Sequence, residues 1–232
     1  IEDFAGETGS FEESVRLATR QLDNLIDINT AVFHYDITDP QVQFISLLAG
    51  GAVTFENAER QRIKGAEVDF AARVLPSLLN DSLILTGNAT YLDAKYTSYK
   101  DGSGFTDLYV FQQGQDYSGN KVTRTPKFSY TVGLLETLQT DNGSVELGVD
   151  YFFQDEIFFL AQNTENSVID SYGLLGAHAS YHHEPWDFRV TLFGQNLLNE
   201  DYNYALFILD FGKNETPAPL RTYGVKLAWN FQ

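Results

Sequence analysis

The chain has 232 residues, 43% of them hydrophobic and 14% aromatic, so it is long enough for one large domain and too apolar for a disordered tail. Its net charge of −17 would repel phosphate backbones, so nucleic acid is not expected as a partner. Cysteine is absent, which excludes a disulfide framework and a thiolate metal site.

The sequence predicts strands from its first residues to its last. The dominant period is two, and no apolar run reaches the roughly 18 residues of a membrane-spanning helix. Nine strands are predicted, each about long enough to cross a bilayer when tilted. In chain order they are residues 10–20, 25–36, 60–74, 82–97, 125–138, 144–156, 168–183, 187–198 and 220–231. If the protein lies in a membrane, it must cross as strands.

The side chains of these strands sort by parity, because successive strand residues point to opposite faces of a sheet. In the last strand, one face carries only large apolar side chains: Tyr223, Val225, Leu227, Trp229 and Phe231. A soluble β-sandwich gives the same alternation, with a second sheet over the apolar face. Alternation alone therefore leaves two alternatives open, a layer of protein or a layer of lipid.

The connections between the predicted strands favour lipid over a second layer of protein as the cover of the apolar face. Short turns are predicted at 21–24, 75–81, 139–143 and 184–186, and they alternate with long connections at 37–59, 98–124, 157–167 and 199–219. Transmembrane barrels have this rhythm, with short periplasmic turns and long extracellular loops. Trp186 and Trp229 both fall at the periplasmic level, where an aromatic girdle is expected. The predicted fold is all-β, an antiparallel transmembrane β-barrel integral to a bacterial outer membrane.

The strand number predicts an incomplete barrel. Intact bacterial barrels have an even number of strands, and open edges in hydrocarbon would leave backbone groups unpaired at several kcal/mol each. We therefore expect residues 1–232 to form the C-terminal portion of one larger barrel domain, with the earlier strands outside this chain. Ile1, which follows neither an initiator methionine nor a signal peptide, is expected to be a processed or truncated start.

Several segments resemble the closing strands of TonB-dependent outer-membrane receptors. They are residues 22–43, 56–70, 124–134, 188–202 and 218–231, with a weaker match at 11–17. The most specific pieces are Asn57-Ala58 with Ile63-Lys64-Gly65, Gly194 to Tyr202 with Asn196, Leu197 and Asn199, and Arg221-Thr222-Tyr223-Gly224. These pieces occur in the order and with the spacing of the family pattern, so the resemblance extends over most of the chain.

The resemblance implies a barrel of about 22 strands with an N-terminal plug that lies outside this chain. In that family a ligand, most commonly a ferric siderophore, docks on the extracellular loops. TonB with its inner-membrane complex then acts on the plug to admit it. The ferric chelate is cargo, and no cofactor is expected. The resemblance also implies a closing signal for the barrel-assembly machinery: Gly224, Leu227, Trp229 and Phe231. The family pattern ends on an aromatic residue, whereas in this chain Gln232 follows Phe231.

The long connections contain the candidate ligand-binding residues. Aromatic faces and amide donors suit a flat, hydrogen-bonding ligand such as a ferric chelate. The candidates are Tyr109, Phe111, Gln112, Tyr117, Phe158, Phe159, Tyr202, Tyr204 and Phe207. The alternative is that these side chains only pack the loops against one another.

Neither a catalytic residue nor a protein metal site is predicted. His178 and His182 share a strand face about 13 Å apart and cannot chelate one metal together. Glu67 and Asp69 are same-face neighbours, expected to be a solvated luminal ladder and not an acid/base pair. The preferred function is a ligand-gated importer. A passive porin-like channel predicts an open lumen and no plug, and an outer-membrane hydrolase would need a nucleophile constellation that the sequence does not provide.

Overall fold

The computed structural model describes residues 10–21, 25–46, 53–74 and 82–230, and these residues form strands almost throughout. In chain order the strands are β1 (Ser10–Gln21), β2 (Ile26–Thr38), β3 (Gln41–Ile45), β4 (Val53–Asn57), β5 (Arg60–Val74), β6 (Ser82–Ser98), β7 (Gly102–Phe105), β8 (Phe111–Gln115), β9 (Phe128–Thr140), β10 (Gly143–Gln154), β11 (Ile157–Phe158), β12 (Val168–Ile169), β13 (Tyr172–His183), β14 (Phe188–Gln195), β15 (Asn203–Leu209), β16 (Gly212–Pro217) and β17 (Thr222–Trp229). Short 3₁₀ turns occupy Glu165–Ser167 and Glu184–Trp186. Within these ranges no helix is long and apolar enough to cross a membrane.

Nine long strands form one antiparallel sheet in the order β1-β2-β5-β6-β9-β10-β13-β14-β17. The nine predicted strands are therefore confirmed, with bounds that shift by a few residues. The largest shift is at the predicted strand 168–183, which begins at Tyr172 because Val168–Ile169 pairs with Ile157–Phe158 instead. Residues 22–24 and 75–81, in two of the predicted short turns, and Phe231 lie outside the described residues.

All four long connections contain a two-stranded hairpin, which the sequence analysis did not predict. β3 pairs with β4, β7 with β8, β11 with β12, and β15 with β16. These strands are short, and GSGF in β7 has no apolar alternation to detect. The long connections at one end of the sheet thus carry hairpins.

The register places apolar side chains in rows across one face of the sheet. Val149 lies between Leu134 and Ala177 on the neighbouring strands, and Val190 pairs with Leu227. These side chains have no protein layer over them, since Leu227 is 66% exposed and Val149 is 41% exposed. A continuous exposed apolar face of this extent is the surface that a transmembrane barrel turns towards lipid.

The opposite face is polar, and its side chains also follow the register in rows. One such row runs through Asp27, Ala71, Thr86, Gly133, Asp150 and Gly176. Glu67 and Asp69 lie on this face and are both exposed, as expected for a solvated ladder. His178 and His182 each contact a different carboxylate, Nε2 to Glu146 Oε1 at 3.3 Å and Nε2 to Asp187 Oδ1 at 3.1 Å.

The hairpins fold over the polar face and identify it as the inner one. Ser46 Oγ donates a hydrogen bond of 2.8 Å to Asp210 Oδ1, joining the first hairpin of the chain to the last. These hairpins leave the sheet at β2 and β14, which are separated by five strands. Contact between them requires the sheet to curve around its polar side, as a barrel wall does.

The motif around Asn196 ties the end of β14 to the start of β17. The Asn196 side chain is buried, donates to the carbonyls of Glu200 (2.8 Å) and Pro219 (3.2 Å), and accepts from the Glu200 amide. Asn199 Oδ1 accepts from the Arg221 amide at 3.2 Å, and Asn199 itself has a φ of 58°, a left-handed conformation that asparagine tolerates well. Side-chain amides thus close this loop without large apolar contacts.

Gly224, part of the predicted closing signal, lies under the ring of Phe193 on β14. A Cβ at this position would meet Phe193 Cζ at 2.3 Å. We expect Gly224→Val to lower the free energy of unfolding of the full-length protein by about 1–3 kcal/mol, because the ring must leave its rotamer. Urea unfolding in phospholipid vesicles measures this. Ala228→Val, on the same strand face and in an exposed position, is the control and is expected to have little effect; equal losses would refute the assigned contact.

Candidate ligand site beneath the hairpins

A buried tyrosine cluster gives the hairpins a core of their own. Tyr96, Tyr99 and Tyr117 are 2%, 1% and 7% exposed, and successive ring centroids lie 5.1 and 5.4 Å apart. Tyr99 Oη donates to Glu56 Oε1, which also accepts from the Ser103 amide at 2.7 Å. Burial, with the hydrogen bond to Glu56 as a second cause, raises the pKa of Tyr99, so its hydroxyl remains a donor at neutral pH.

Reciprocal amide contacts join the second and third long connections. Asn163 Oδ1 accepts from the Lys121 amide at 2.7 Å and its Nδ2 donates to the Lys121 carbonyl at 3.1 Å. Asn120 Nδ2 donates to the Ala161 carbonyl at 2.9 Å. The backbone polar groups of both connections are therefore satisfied by each other, and the two connections hold a defined shape.

A cavity of about 280 Å³, here called the loop cavity, lies where the four long connections meet. It is lined by Gln41, Val42, Gln43, Phe44, Ile45, Tyr96, Thr123, Arg124, Phe159, Leu160, Ala161, Leu206, Phe207 and Ile208. Arg124 is the one charged residue among them, and its Cζ lies 4.8 Å from the centroid of the Phe159 ring. A cation stacked on an aromatic face beside glutamine amides is an arrangement that binds a planar anionic group.

A second cavity, of about 410 Å³ and here called the luminal cavity, lies below the last hairpin on the polar face of the sheet. It is lined by Asp150, Phe152, Leu174, Leu175, Gly176, Ala177, His178, Phe193, Gly194, Gln195, Asn196, Tyr202, Tyr204, Pro219, Leu220 and Thr222. Tyr202 stacks on Tyr172 with ring centroids 4.2 Å apart. Burial, with a hydrogen bond to Tyr204 as a second cause, raises the pKa of Tyr202 to about 12, so its phenol is neutral at physiological pH.

The structure distributes the predicted ligand residues over several environments. Phe159 and Phe207 line the loop cavity, and Tyr202 and Tyr204 line the luminal cavity. These four are the candidates that face open space on the inner side. No structure with a ligand tests them, so their role in binding stays a prediction.

The other predicted residues pack within the hairpins or lie elsewhere. Tyr117 belongs to the buried tyrosine cluster, and Tyr109 and Phe111 pack against the apolar cluster around Phe105. Lys121 Nζ lies over the ring of Phe158, 5.3 Å from its centroid. Gln112 is exposed on β8. The alternative from the sequence, that loop aromatics pack the loops together, therefore describes much of this set.

Sequence reasoning missed Arg124 and Phe44. Arg124 stands just before a predicted strand, and nothing in the local sequence signals its stacking on Phe159, which lies 35 positions later. Phe44 belongs to β3, a hairpin strand that was not predicted, and its ring stacks on that of Phe111 at 5.8 Å. Both contacts exist only once separate connections have folded together.

A family model described as TonB dependent receptor-like, beta-barrel, matches residues 11–197, most of the chain. The chain belongs to the TonB-dependent receptor family. Its nine-stranded sheet is accordingly part of a TonB-dependent receptor barrel, and the resemblance seen in the sequence is confirmed. The match covers the first eight strands of the sheet, β1 to β14, and the short and long connections between them.

Solved structures show the same fold. The siderophore receptor PiuA from Acinetobacter baumannii is 21% identical, with a TM-score of 0.66, over 96% of this chain and 28% of its own. The ferric yersiniabactin uptake receptor FyuA from Yersinia pestis is 15% identical, with a TM-score of 0.68, over 93% and 29%. The copper transporter OprC is 12% identical, with a TM-score of 0.67, over 96% and 31%. This chain spans less than a third of each of these proteins, and the fold is common to receptors for different cargoes.

Proposed function

We propose that the protein is an outer-membrane TonB-dependent receptor that takes up a scarce ligand, a ferric siderophore, through the barrel to which this chain contributes. The observation that carries the proposal is the loop cavity, where Arg124, Phe159 and Phe207 converge beneath joined hairpins on the inner side of the sheet. Family membership supports the receptor class, and several structural relatives are iron-chelate receptors by name. A receptor, in contrast to a hydrolase, needs no nucleophile at this site.

The proposed receptor needs further barrel strands, a plug and other partners that lie outside this chain. Further strands pair with the edges β1 and β17, since unpaired edges in hydrocarbon are costly. A plug fills the lumen against the polar face, and TonB with its inner-membrane complex pulls on that plug. The barrel-assembly machinery inserts the chain through the closing signal on β17, and lipid covers the apolar face.

The ligand path begins in the loop cavity and continues to the luminal cavity. Arg124 meets an anionic planar group first, and Phe159 offers a ring face beside it. Tyr202 and Tyr204 then supply neutral phenol donors at the lower cavity. Because Asp150 also lines the lower cavity, a strongly anionic ligand is held more tightly in the loop cavity than in the luminal cavity.

Arg124→Gln in the full-length receptor is expected to weaken binding of a ferric chelate about tenfold or more, because a charge-assisted contact contributes roughly 1.5–3 kcal/mol. The measurement is fluorescence titration with ferric catecholate, ferric hydroxamate and ferric citrate complexes. Lys213→Gln removes the same charge from β16, where Lys213 pairs with Glu215 at 2.7 Å, and is the matched control. Failure of all three complexes to bind the unmodified receptor would refute the siderophore assignment.

Uptake of radioactive iron separates the importer from the passive channel. Cells that depend on the full-length receptor are expected to lose uptake when TonB is deleted, whereas a porin-like barrel would keep it. Uptake that persists without TonB would favour the channel.

A further inference from the structure

The luminal cavity contains a carboxylate without a basic partner. Asp150 lines the cavity from the polar face of β10, and its side chain is exposed. Among the described residues, none forms an ion pair with it. His178 lines the same cavity, and its Nε2 lies 3.3 Å from Glu146 Oε1. These three side chains together are therefore negative whether the imidazole is neutral or protonated.

The register keeps basic side chains away from this carboxylate. Gly176 lies beside Asp150 on β13, and β14 contributes Gln195 to the cavity. Arg189 on β14 and Lys226 on β17 also belong to the polar face. Each lies at least four positions from Gln195 or from its partner on β17, towards the short turns, which is about 13 Å or more at roughly 3.3 Å per residue. The charge of Asp150 is thus open to a cation from outside the chain.

Gly176 allows the Asp150 carboxylate to lie over β13. A Cβ at Gly176 would meet Asp150 Oδ1 at 2.8 Å and Oδ2 at 2.9 Å. The carboxylate therefore occupies the space that a side chain at position 176 would take, and any larger residue there would push it aside. Its position inside the cavity depends on this glycine.

Aromatic rings form one wall of the same cavity, here called the aromatic wall. Successive ring centroids are 6.0, 4.2 and 5.6 Å apart along Phe152, Tyr172, Tyr202 and Tyr204. All but Tyr172 line the cavity, and Phe152 is the next residue after Asp150 on the polar face of β10. Ring faces attract organic cations, and phenol oxygens accept hydrogen bonds from N–H donors. A carboxylate beside such a wall is an arrangement that binds an ammonium group.

The chemistry of the cavity fits an organic cation better than a metal ion. Asp150 is the one carboxylate in the lining, whereas calcium and magnesium take about six or more oxygen ligands. In the part of the chain that the structure describes, no group of three or more metal-ligating side chains could hold a metal ion. At about 410 Å³ the cavity has room for part of an organic molecule.

We infer that the luminal cavity binds a cationic amine of the cargo, with Asp150 accepting a hydrogen bond from the ammonium and the aromatic wall covering its alkyl arm. The inference rests on the proposed function and names the class of siderophore, a ferric chelate with a pendant ammonium group. Arg124 in the loop cavity has the opposite charge, so the two cavities together fit a cargo with an anionic group and a cationic arm. Asp150 then distinguishes this chelate from an uncharged analogue.

The test uses the full-length receptor and whichever ferric catecholate, hydroxamate or citrate complex binds it. That chelate is prepared with a pendant aminopentyl arm and with the same arm N-acetylated, and both forms are titrated by fluorescence. The amine form is expected to bind about tenfold more tightly, because its ammonium forms a charge-assisted hydrogen bond that the amide cannot.

Three variants locate the preference for the amine form. Asp150→Asn is expected to abolish it while leaving the affinity for the acetylated form unchanged. Gly176→Ala retains the charge but displaces the carboxylate, and is expected to reduce the preference as well. Asp69→Asn removes the same charge from the polar face of β5, outside the cavity lining, and is the matched control that keeps the preference.

Equal affinity for the two forms in the unmodified receptor would overturn the inference and leave the proposed function intact, since the chelate still binds. A preference that survives Asp150→Asn would also overturn it. So would an equal loss in Asp69→Asn, because the preference would then come from the general negative potential of the lumen. Failure of the catecholate, hydroxamate and citrate complexes alike to bind would reject the proposed function itself, and the inference with it.

Discussion

Val149→Arg is expected to lower the free energy of unfolding of the full-length receptor in phospholipid vesicles by about 2–4 kcal/mol, if the residue lies near the bilayer midplane. Val149 is outward on β10, an inner strand of the sheet, flanked by Leu134 and Ala177. An arginine there must desolvate its charge in hydrocarbon or distort the bilayer. Urea unfolding followed by intrinsic fluorescence gives the difference directly.

Thr86→Arg is the matched control for this change. Thr86 is exposed on the polar face, in the cross-strand row that contains Asp27 and Asp150. The new arginine lies on the polar face and outside the hydrocarbon, so the expected loss is smaller, below about 1 kcal/mol. If both variants lost equal stability, lipid would not contact the apolar face in preference to the polar face. The assignment of the two faces would then be wrong.

Tyr99→Ala is expected to reduce the free energy of local opening of the hairpins by about 3 kcal/mol or more, because an almost fully buried ring leaves a cavity. The loss includes the hydroxyl contact with Glu56 and two ring contacts. Amide hydrogen exchange measures it, with faster exchange expected at Ser103 and across residues 98–124. The nine-stranded sheet should keep its protection, since Tyr99 lies beyond the end of β6 and Tyr96 lies near that end.

Tyr204→Ala is the control of the same residue type. Tyr204 is 59% exposed on the last hairpin, so its truncation removes little packing. Exchange at residues 98–124 is expected to remain unchanged in this variant. Unchanged exchange in Tyr99→Ala would mean that the tyrosine cluster does not hold the hairpins together.

The sheet was predictable from the sequence because its physical signal is local. Each long strand alternates apolar and polar side chains, as in β10, and a one-residue slip would turn the wrong face to lipid. Gly143 and the Glu184–Trp186 turn mark two of the reversals. Pattern and turn chemistry thus agree along the strands, which is why the nine predicted strands are the observed ones.

The candidate site was only partly predictable because its contacts are non-local. Phe159 and Phe207 could be singled out as loop aromatics, but their common cavity depends on Arg124 and on β3, which come from other connections. Tyr117 has the same composition signal as Tyr204, yet one is buried and the other exposed. Which loop aromatic packs and which faces the ligand path is decided by tertiary contacts that residue type does not encode.

The most direct test of the central claim, that lipid covers the apolar face, is a cysteine scan of β10 in the full-length receptor. This chain has no cysteine of its own, so each residue from Val145 to Phe153 can be replaced by cysteine and spin-labelled in turn. Collisional relaxation by oxygen, which concentrates in hydrocarbon, is expected to peak at Val145, Leu147, Val149, Tyr151 and Phe153, and a water-soluble nickel complex is expected to reach the positions between them. Nickel access at all nine positions, with no alternation, would contradict the account.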